Sequence, residues 1–224
     1  MSNSFDDNAN FNAETSQFLR IPLKRIGAVI GVKGANKEAI EAATKTNIMI
    51  DSDTGEVEIR PNDELKDPVQ LFNARDIVKA IGRGFTHEQA IKIAEDPYYL
   101  EIIRLKPIIG DKPNHLHRVR ARLIGTKGRT RKSLEELTKT SIVISGSTVS
   151  MIGTFEHISR AREAILDIIN GAKIESVIGK LEEERNRTRK EEQSLWEADE
   201  EFDINDLGKE EEIEDPFANY EEED

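Results

Sequence analysis

Ile30-Gly31-Val32-Lys33-Gly34 returns 94 residues later as Ile124-Gly125-Thr126-Lys127-Gly128, and the match continues without a gap to Ile50 and Ile144. Ten of the 21 positions from 30 to 50 are identical to their partners, among them Thr44-Lys45-Thr46 against Thr138-Lys139-Thr140. A period this long, present twice, argues for a tandem pair of domains, because a solenoid needs several short repeats to bury a continuous core. The 224 residues accommodate two units of roughly 70 to 80 residues each, a size that folds alone around a modest core. Function is to be sought in what the two copies share.

Hydropathy gives both copies the same order of elements. In the first, Phe18 to Ile21 reads as a strand, Lys24 to Ile30 as a short helix, and Ala35 to Lys45 as a helix burying Ala39, Ile40 and Ala43. Alternating strands near 47–51 and 56–60 are joined by the turn residues Asp53-Thr54-Gly55, and a helix over 68–82 carries Leu71, Ala74, Val78 and Ile81 in one stripe. The second copy repeats this with a strand over 98–105, helices near 116–124 and 130–138, strands over 141–145 and 148–152, and a helix over 154–170. The predicted class is α+β, two β-α-α-β-β-α units over 15–84 and 97–172. A helical connector capped by Thr86 fills 85–96 and braces the units, and a helical extension occupies 173–192, read as a docked stretch over Ala172 to Leu181 followed by a highly charged helix over Glu182 to Glu192, before an acidic disordered tail over 193–224.

The shared glycine turn joins two helices. Glycine at each end lets the backbone approach another chain closely, and the following helix offers free amides and the positive end of its dipole to an anion. Lys33 and Lys127 add a cation to each turn. No serine or threonine follows a Gly-Lys pair to hold magnesium, so the turn is not a nucleotide-hydrolysing loop, and it lacks the spacing of a dinucleotide-binding loop. The net charge of −12 at first opposes a nucleic-acid partner, but it is segregated. Glu191 to Asp224 holds 17 acidic residues and one basic residue, which leaves the rest with 31 basic against 27 acidic side chains, a net +4. Lys112 to Lys132 contains eight basic residues and no acidic one, the local footprint of a phosphate binder.

A Gly-x-x-Gly turn between the helices of a β-α-α-β-β-α unit, twice at equivalent positions, resembles the tandem type I KH proteins, in which this loop clamps the backbone of about four single-stranded nucleotides. The resemblance implies that bases lie across an apolar groove between the helices and the sheet edge. It narrows in Arg83-Gly84-Phe85-Thr86, Asp96-Pro97-Tyr98-Tyr99-Leu100-Glu101 and Arg122-Leu123-Ile124-Gly125-Thr126-Lys127-Gly128-Arg129-Thr130-Arg131. These stretches are similar to the archaeal KH-domain family of small-subunit rRNA processing factors, relatives of the eukaryotic partner of the Nob endonuclease. That similarity implies single-stranded RNA near the 3′ end of the small-subunit rRNA precursor, with a Nob-type endonuclease supplied in trans. The candidate RNA contacts are Gly31, Val32, Lys33, Gly34, Lys37, Arg122, Gly125, Thr126, Lys127, Gly128, Arg129, Arg131 and Lys132. Arg129, Arg131 and Lys132 crowd the helix after the second loop, where the first has Ala35, Asn36, Lys37 and Glu38, so the second unit is expected to dominate affinity.

Other residues carry less. His115 and His117 lack cysteine or an acidic cluster beside them and read as loop residues rather than a metal pair, while His87 and His157 read as helix surface. Glu135 and Glu136 head no acid-base pair, Ile48, Ile50, Ile142 and Ile144 read as core, and Tyr98 and Tyr99 alternate as strand residues. No enzyme, cofactor, metal or small-molecule substrate is expected. Absence of cysteine fits a reducing cytosol, and the polar, acidic start shows neither export signal nor membrane span, so a cytoplasmic location is expected. The tail, with Trp196, Phe202 and Phe217 among its acids, reads as a solubilising appendage, a motif for a basic ribosomal protein, or an internal RNA mimic. Alternatives to rRNA maturation are a two-KH mRNA regulator or RNA-decay cofactor, and a protein scaffold whose acidic tail recruits clients.

Overall fold

The computed structural model describes residues 16–200. The first repeat runs β1 (Gln17–Arg20), α1 (Leu23–Ile30), a tight turn (Val32–Gly34), α2 (Ala35–Thr44), β2 (Thr46–Ile50), β3 (Glu56–Pro61) and α3 (Val69–Arg83). A connector follows, α4 (His87–Ala90) continued by a 3-10 turn (Ile91–Ala94). The second repeat runs β4 (Tyr99–Arg104), α5 (Lys106–Ile109), α6 (Pro113–Ile124), a turn (Thr126–Gly128), α7 (Arg129–Thr138), β5 (Ser141–Ser145), β6 (Thr148–Gly153) and α8 (Phe155–Ile169), before α9 (Ile174–Glu200).

Each repeat forms an antiparallel three-stranded sheet with its last strand in the middle, ordered β1-β3-β2 and β4-β6-β5. Period-two alternation decides which residues meet the helices: Leu19 opposes Val57 and Ile48 opposes Ile59 on the core face, while Phe18 and Met49 both oppose Glu58 on the outer face. Ile40, Leu71, Ile77, Val78 and Ile81 close the first core from the helical side, and Val119, Leu123, Leu134, Ile158 and Ile165 close the second. Burial of such aliphatic side chains contributes on the order of 1.5–3 kcal/mol each and is the main force holding each layer pair together.

The second sheet is covered on both faces. Ile152 belongs to the first repeat's core, and Leu100 and Val143 pack against it. Gly84 turns at φ +124, where a Cβ would stand 3.1 Å from Val143 Cγ1, and Arg83 Nη1 donates to Thr148 Oγ1 at 3.1 Å. Arg25 secures the end of α3 by donating to the carbonyls of Ile81 and Phe85, both at 2.9 Å. The connector begins with a reciprocal cap between Thr86 and Gln89 and buries Ala90 and Ile93 in the first core. The repeats thus share one compact unit that ends at Glu182, and the rest of the chain is a separate unit.

Three elements differ from expectation. Leu105 and Pro107 start the short α5 where a continuous loop was expected, and Pro113 in its first turn begins α6 early. His115 and His117 therefore sit on a helix instead of a loop. The expected docked stretch and charged helix are one helix, α9, which is described to Glu200, past the expected end at 192. Val177 and Leu181 belong to the second core, and opposite charges at i, i+4 spacing such as Glu183 and Arg187 suit a helix beyond it. Residues 201–224 of the expected tail lie outside the described residues.

Candidate nucleic-acid interface

The two loops follow the same backbone path, most closely at the first glycine and the lysine. Gly31 stands at φ +75, ψ −178 and Gly125 at φ +71, ψ 175, a region open essentially to glycine alone. A Cβ at Gly31 would lie 2.6 Å from Asn36 Cγ, and one at Gly125 would lie 2.2 Å from Thr130 Oγ1 and 2.8 Å from its backbone nitrogen. The first glycine of each loop is therefore required by the chain's own fold, whatever approaches the loop from outside. The second glycine is the open one: nothing lies within 4 Å of a Cβ built at Gly128, and only Glu38 Oε1, at 3.5 Å, approaches one at Gly34.

Between the glycines the chain projects outward. Val32 is 82% exposed, Lys33, Thr126 and Lys127 are exposed, and both lysines stand in the left-handed region at φ 54. Neither Gly34 nor Gly128 offers a side chain to cap α2 or α7, so first-turn amides face the loop unsatisfied by a cap. Glu38 places a carboxylate in the first turn of α2, while the first turn of α7 contains no acid.

The cations differ in number rather than in kind: Lys33 is exposed with no pairing carboxylate among the described residues, as Lys127 is, and each loop has one paired cation beyond it. Lys37 pairs with Glu41 at 3.7 Å, and Arg131 pairs with Glu135 at 3.6 Å. Lys127, Arg129 and Lys132 are exposed, and no carboxylate pairs with them among the described residues. Arg122 lies off this cluster, half-buried, its Nη2 donating to the Ala172 carbonyl at the α8–α9 junction. The structure thus brings Gly125 to Gly128 together with Arg129 and Lys132, and gives Arg122 an anchoring bond.

Sequence reasoning missed the residues that set the groove wall. Glu41 accepts from the Ile48 amide at 2.6 Å and Glu135 from the Ile142 amide at 2.8 Å, which ties the edge strand of each sheet to the helix after its loop. Thr44 and Thr138 donate to the carbonyls four residues back, both at 2.7 Å, and their hydroxyls meet those of Thr46 and Thr140. Lys45 and Lys139 make the intervening turn at φ 52 and 54. All were visible as identities at the 94-residue offset. In the first repeat, Phe18, Ile48, Met49 and Ile50 line a groove along β2 together with Lys37 and the acidic Asp51, Glu56 and Glu58. Ile48 and Ile142 are buried as expected, while Ile50 and Ile144 are half-buried.

His115 Nδ1 lies 3.1 Å from the Ile109 carbonyl, to which it can only donate, and no metal-binding group of three side chains occurs among the described residues. Glu135 is occupied by its strand amide. No helix among the described residues is long and apolar enough to cross a membrane.

A family model for the eukaryotic type KH-domain (KH-domain type I) matches residues 99–186, and one for the Krr1 KH1 domain matches residues 30–96. The chain is 37% identical over 180 residues to a KH domain-containing protein of Methanocaldococcus jannaschii, covering 80% of this chain and 78% of that one. It is 33% identical over 138 residues to the pre-rRNA-processing protein PNO1 of Candida albicans, covering 61% of this chain and 50% of its relative's length. Among solved structures, Dim2p from Pyrococcus horikoshii superimposes with a TM-score of 0.71 at 45% identity, covering 76% of this chain and 99% of that one. A chain of the a/eIF2alpha-aDim2p-rRNA complex from the same archaeon superimposes with a TM-score of 0.72 at 44% identity, covering 77% and 95%.

Proposed function

This chain belongs to the tandem KH family of Dim2p and the pre-rRNA-processing protein PNO1, and from that premise we propose that it binds rRNA as a processing factor of the small subunit. The RNA is single-stranded, at the 3′ end region of the precursor, and the second glycine loop is the principal clamp. One observation carries this reading: Gly128 leaves its surroundings open above an uncapped helix start, beside Lys127, Arg129 and Lys132, which no carboxylate pairs among the described residues. Backbone amides and cations at that spot suit phosphate oxygens. The solved complex of an archaeal relative with rRNA supports the same class of ligand. The first loop, with Lys37 engaged by Glu41 and Glu38 facing Gly34, contributes less.

The protein acts as a binding factor in the cytoplasm and leaves cleavage to an endonuclease of the Nob type. Basic ribosomal proteins are its neighbours during assembly. Crosslinking in cells followed by sequencing of bound RNA tests this, with reads expected to accumulate at the 3′ end of the small-subunit precursor. Reads spread over messenger RNAs would favour the mRNA regulator or decay cofactor instead.

A further inference from the structure

The repeats differ most between the first strand and the first helix. In the first, two residues separate Arg20 from Leu23; in the second, β4 ends at Arg104, α6 begins at Pro113, and α5 lies between. This insert lengthens the helix leading to the loop from 8 residues in α1 to 12 in α6, about 18 Å at 1.5 Å per residue. Within it, Lys106 is neutralised by Asp111 at 2.7 Å, which anchors the insert to itself. Lys112 and Arg118 are exposed, and no carboxylate pairs with them among the described residues. Together with His115 they line a shallow concavity at the far end of α6.

Asn114, Arg118, Ala121 and Gly125 succeed one another at three- and four-residue spacing, so they share one face of the helix. Asn114, His117, Arg118 and Ala121 are all exposed. That face leads from the concavity to the glycine loop without a carboxylate, and beyond the loop Arg129 and Lys132 continue the positive charge. A phosphate backbone gripped at Gly125 to Gly128 would meet no carboxylate of α6 along it, and Asp111 in the insert is engaged by Lys106.

We propose that the insert and the outer face of α6 form a second backbone-contact track for the same RNA strand, with Lys112 and Arg118 as its phosphate contacts. The second repeat then holds a longer segment than the roughly four nucleotides a single glycine loop clamps. The proposal rests on the RNA-binding reading above. Its ligand is the sugar-phosphate backbone read by charge, so the track selects for length rather than sequence.

The test titrates the full chain and a Lys112→Ala/Arg118→Ala double variant with fluorescent single-stranded RNAs of about four and about twelve nucleotides, within the span of single-strand sites. Both proteins are expected to bind the short RNA equally, while the variant loses about tenfold on the long one. Its log-log salt slope on the long RNA flattens by about 1.4, two phosphates at about 0.7 each. Thermal unfolding of the variant should match the parent, since both side chains are exposed. Unchanged affinity for the long RNA, or an equal loss on both lengths, overturns this proposal alone. Failure of the parent chain to bind either RNA overturns it together with the RNA-binding reading.

Discussion

Gly125 and Gly128 look interchangeable as letters but are held in place by different constraints. A methyl at Gly125 meets the Thr130 backbone in a conformation reserved for glycine, whereas one at Gly128 enters open space at φ +76. Gly125→Ala should lower stability by about 3 kcal/mol or more, combining backbone strain with overpacking, and Gly128→Ala by about 1 kcal/mol. Thermal denaturation of the two variants checks the ranking. Thr138→Val should cost about 1–2 kcal/mol by leaving the Thr140 hydroxyl without its buried partner, measured by denaturant titration. The offset identities were legible in the sequence, yet most of them prove to be bonds and turns of the fold. Nothing in the letters separated a glutamate that binds a strand amide from one that faces water. His157 adds a pH dependence. Burial, then the positive charges of Arg160 and Lys139, hold its imidazole below the ordinary value, outweighing Glu156. The unfolded chain therefore binds the proton more readily, so this contribution to stability is whole above about pH 6.5 and falls as pH drops below it. The midpoint of thermal unfolding between pH 7 and pH 5 should fall less in His157→Gln than in the parent chain.

At the scale of elements, period-two and period-3.6 patterns marked the six strands and the helices that pack on them to within a residue or two at most ends, because both cores depend on those stripes. Patterning was blind to α5, whose four residues are too few to show a period, and to the early start of α6, which Pro113 sets through its fixed φ. It also split α9, because the change from apolar to charged residues near Leu181 resembles a boundary although the backbone continues. Leu181 is 5% exposed within the second core. Leu181→Ala should lower stability by about 2–4 kcal/mol, and an unchanged denaturation midpoint would show that the extension is not part of that core. The loops themselves tolerate chemistry at their two middle positions, which are exposed and left-handed at the second, a conformation aspartate accepts more readily than most residues. Replacing those positions by Asp-Asp should change binding while leaving the circular dichroism spectrum and melting temperature near those of the parent.

For the whole molecule, charge segregation matters more than the total. The net −12 is an acidic end set against a body of +4, and the second loop and α6 carry five exposed cations, Lys112, Arg118, Lys127, Arg129 and Lys132, that no carboxylate pairs among the described residues. The sequence displayed that segregation, but the packing of the repeats was out of its reach. The outer face of the second sheet is spent on Arg83, Gly84 and the first core, while the matching face of the first leaves Phe18 71% and Met49 56% exposed. Clamping of about four phosphates by one loop gives an expected log-log salt slope near −3 for a short single strand, steeper if α6 also participates. The most direct measurement is a titration of a single-stranded fragment from the small-subunit rRNA 3′ end with three full-length proteins. These are the parent, a Val32→Asp/Lys33→Asp variant and a Thr126→Asp/Lys127→Asp variant. The expected result is a large loss of affinity in the second-loop variant and a smaller one in the first-loop variant. Equal affinities in all three, or the reverse ranking, would contradict a principal clamp at Gly125 to Gly128.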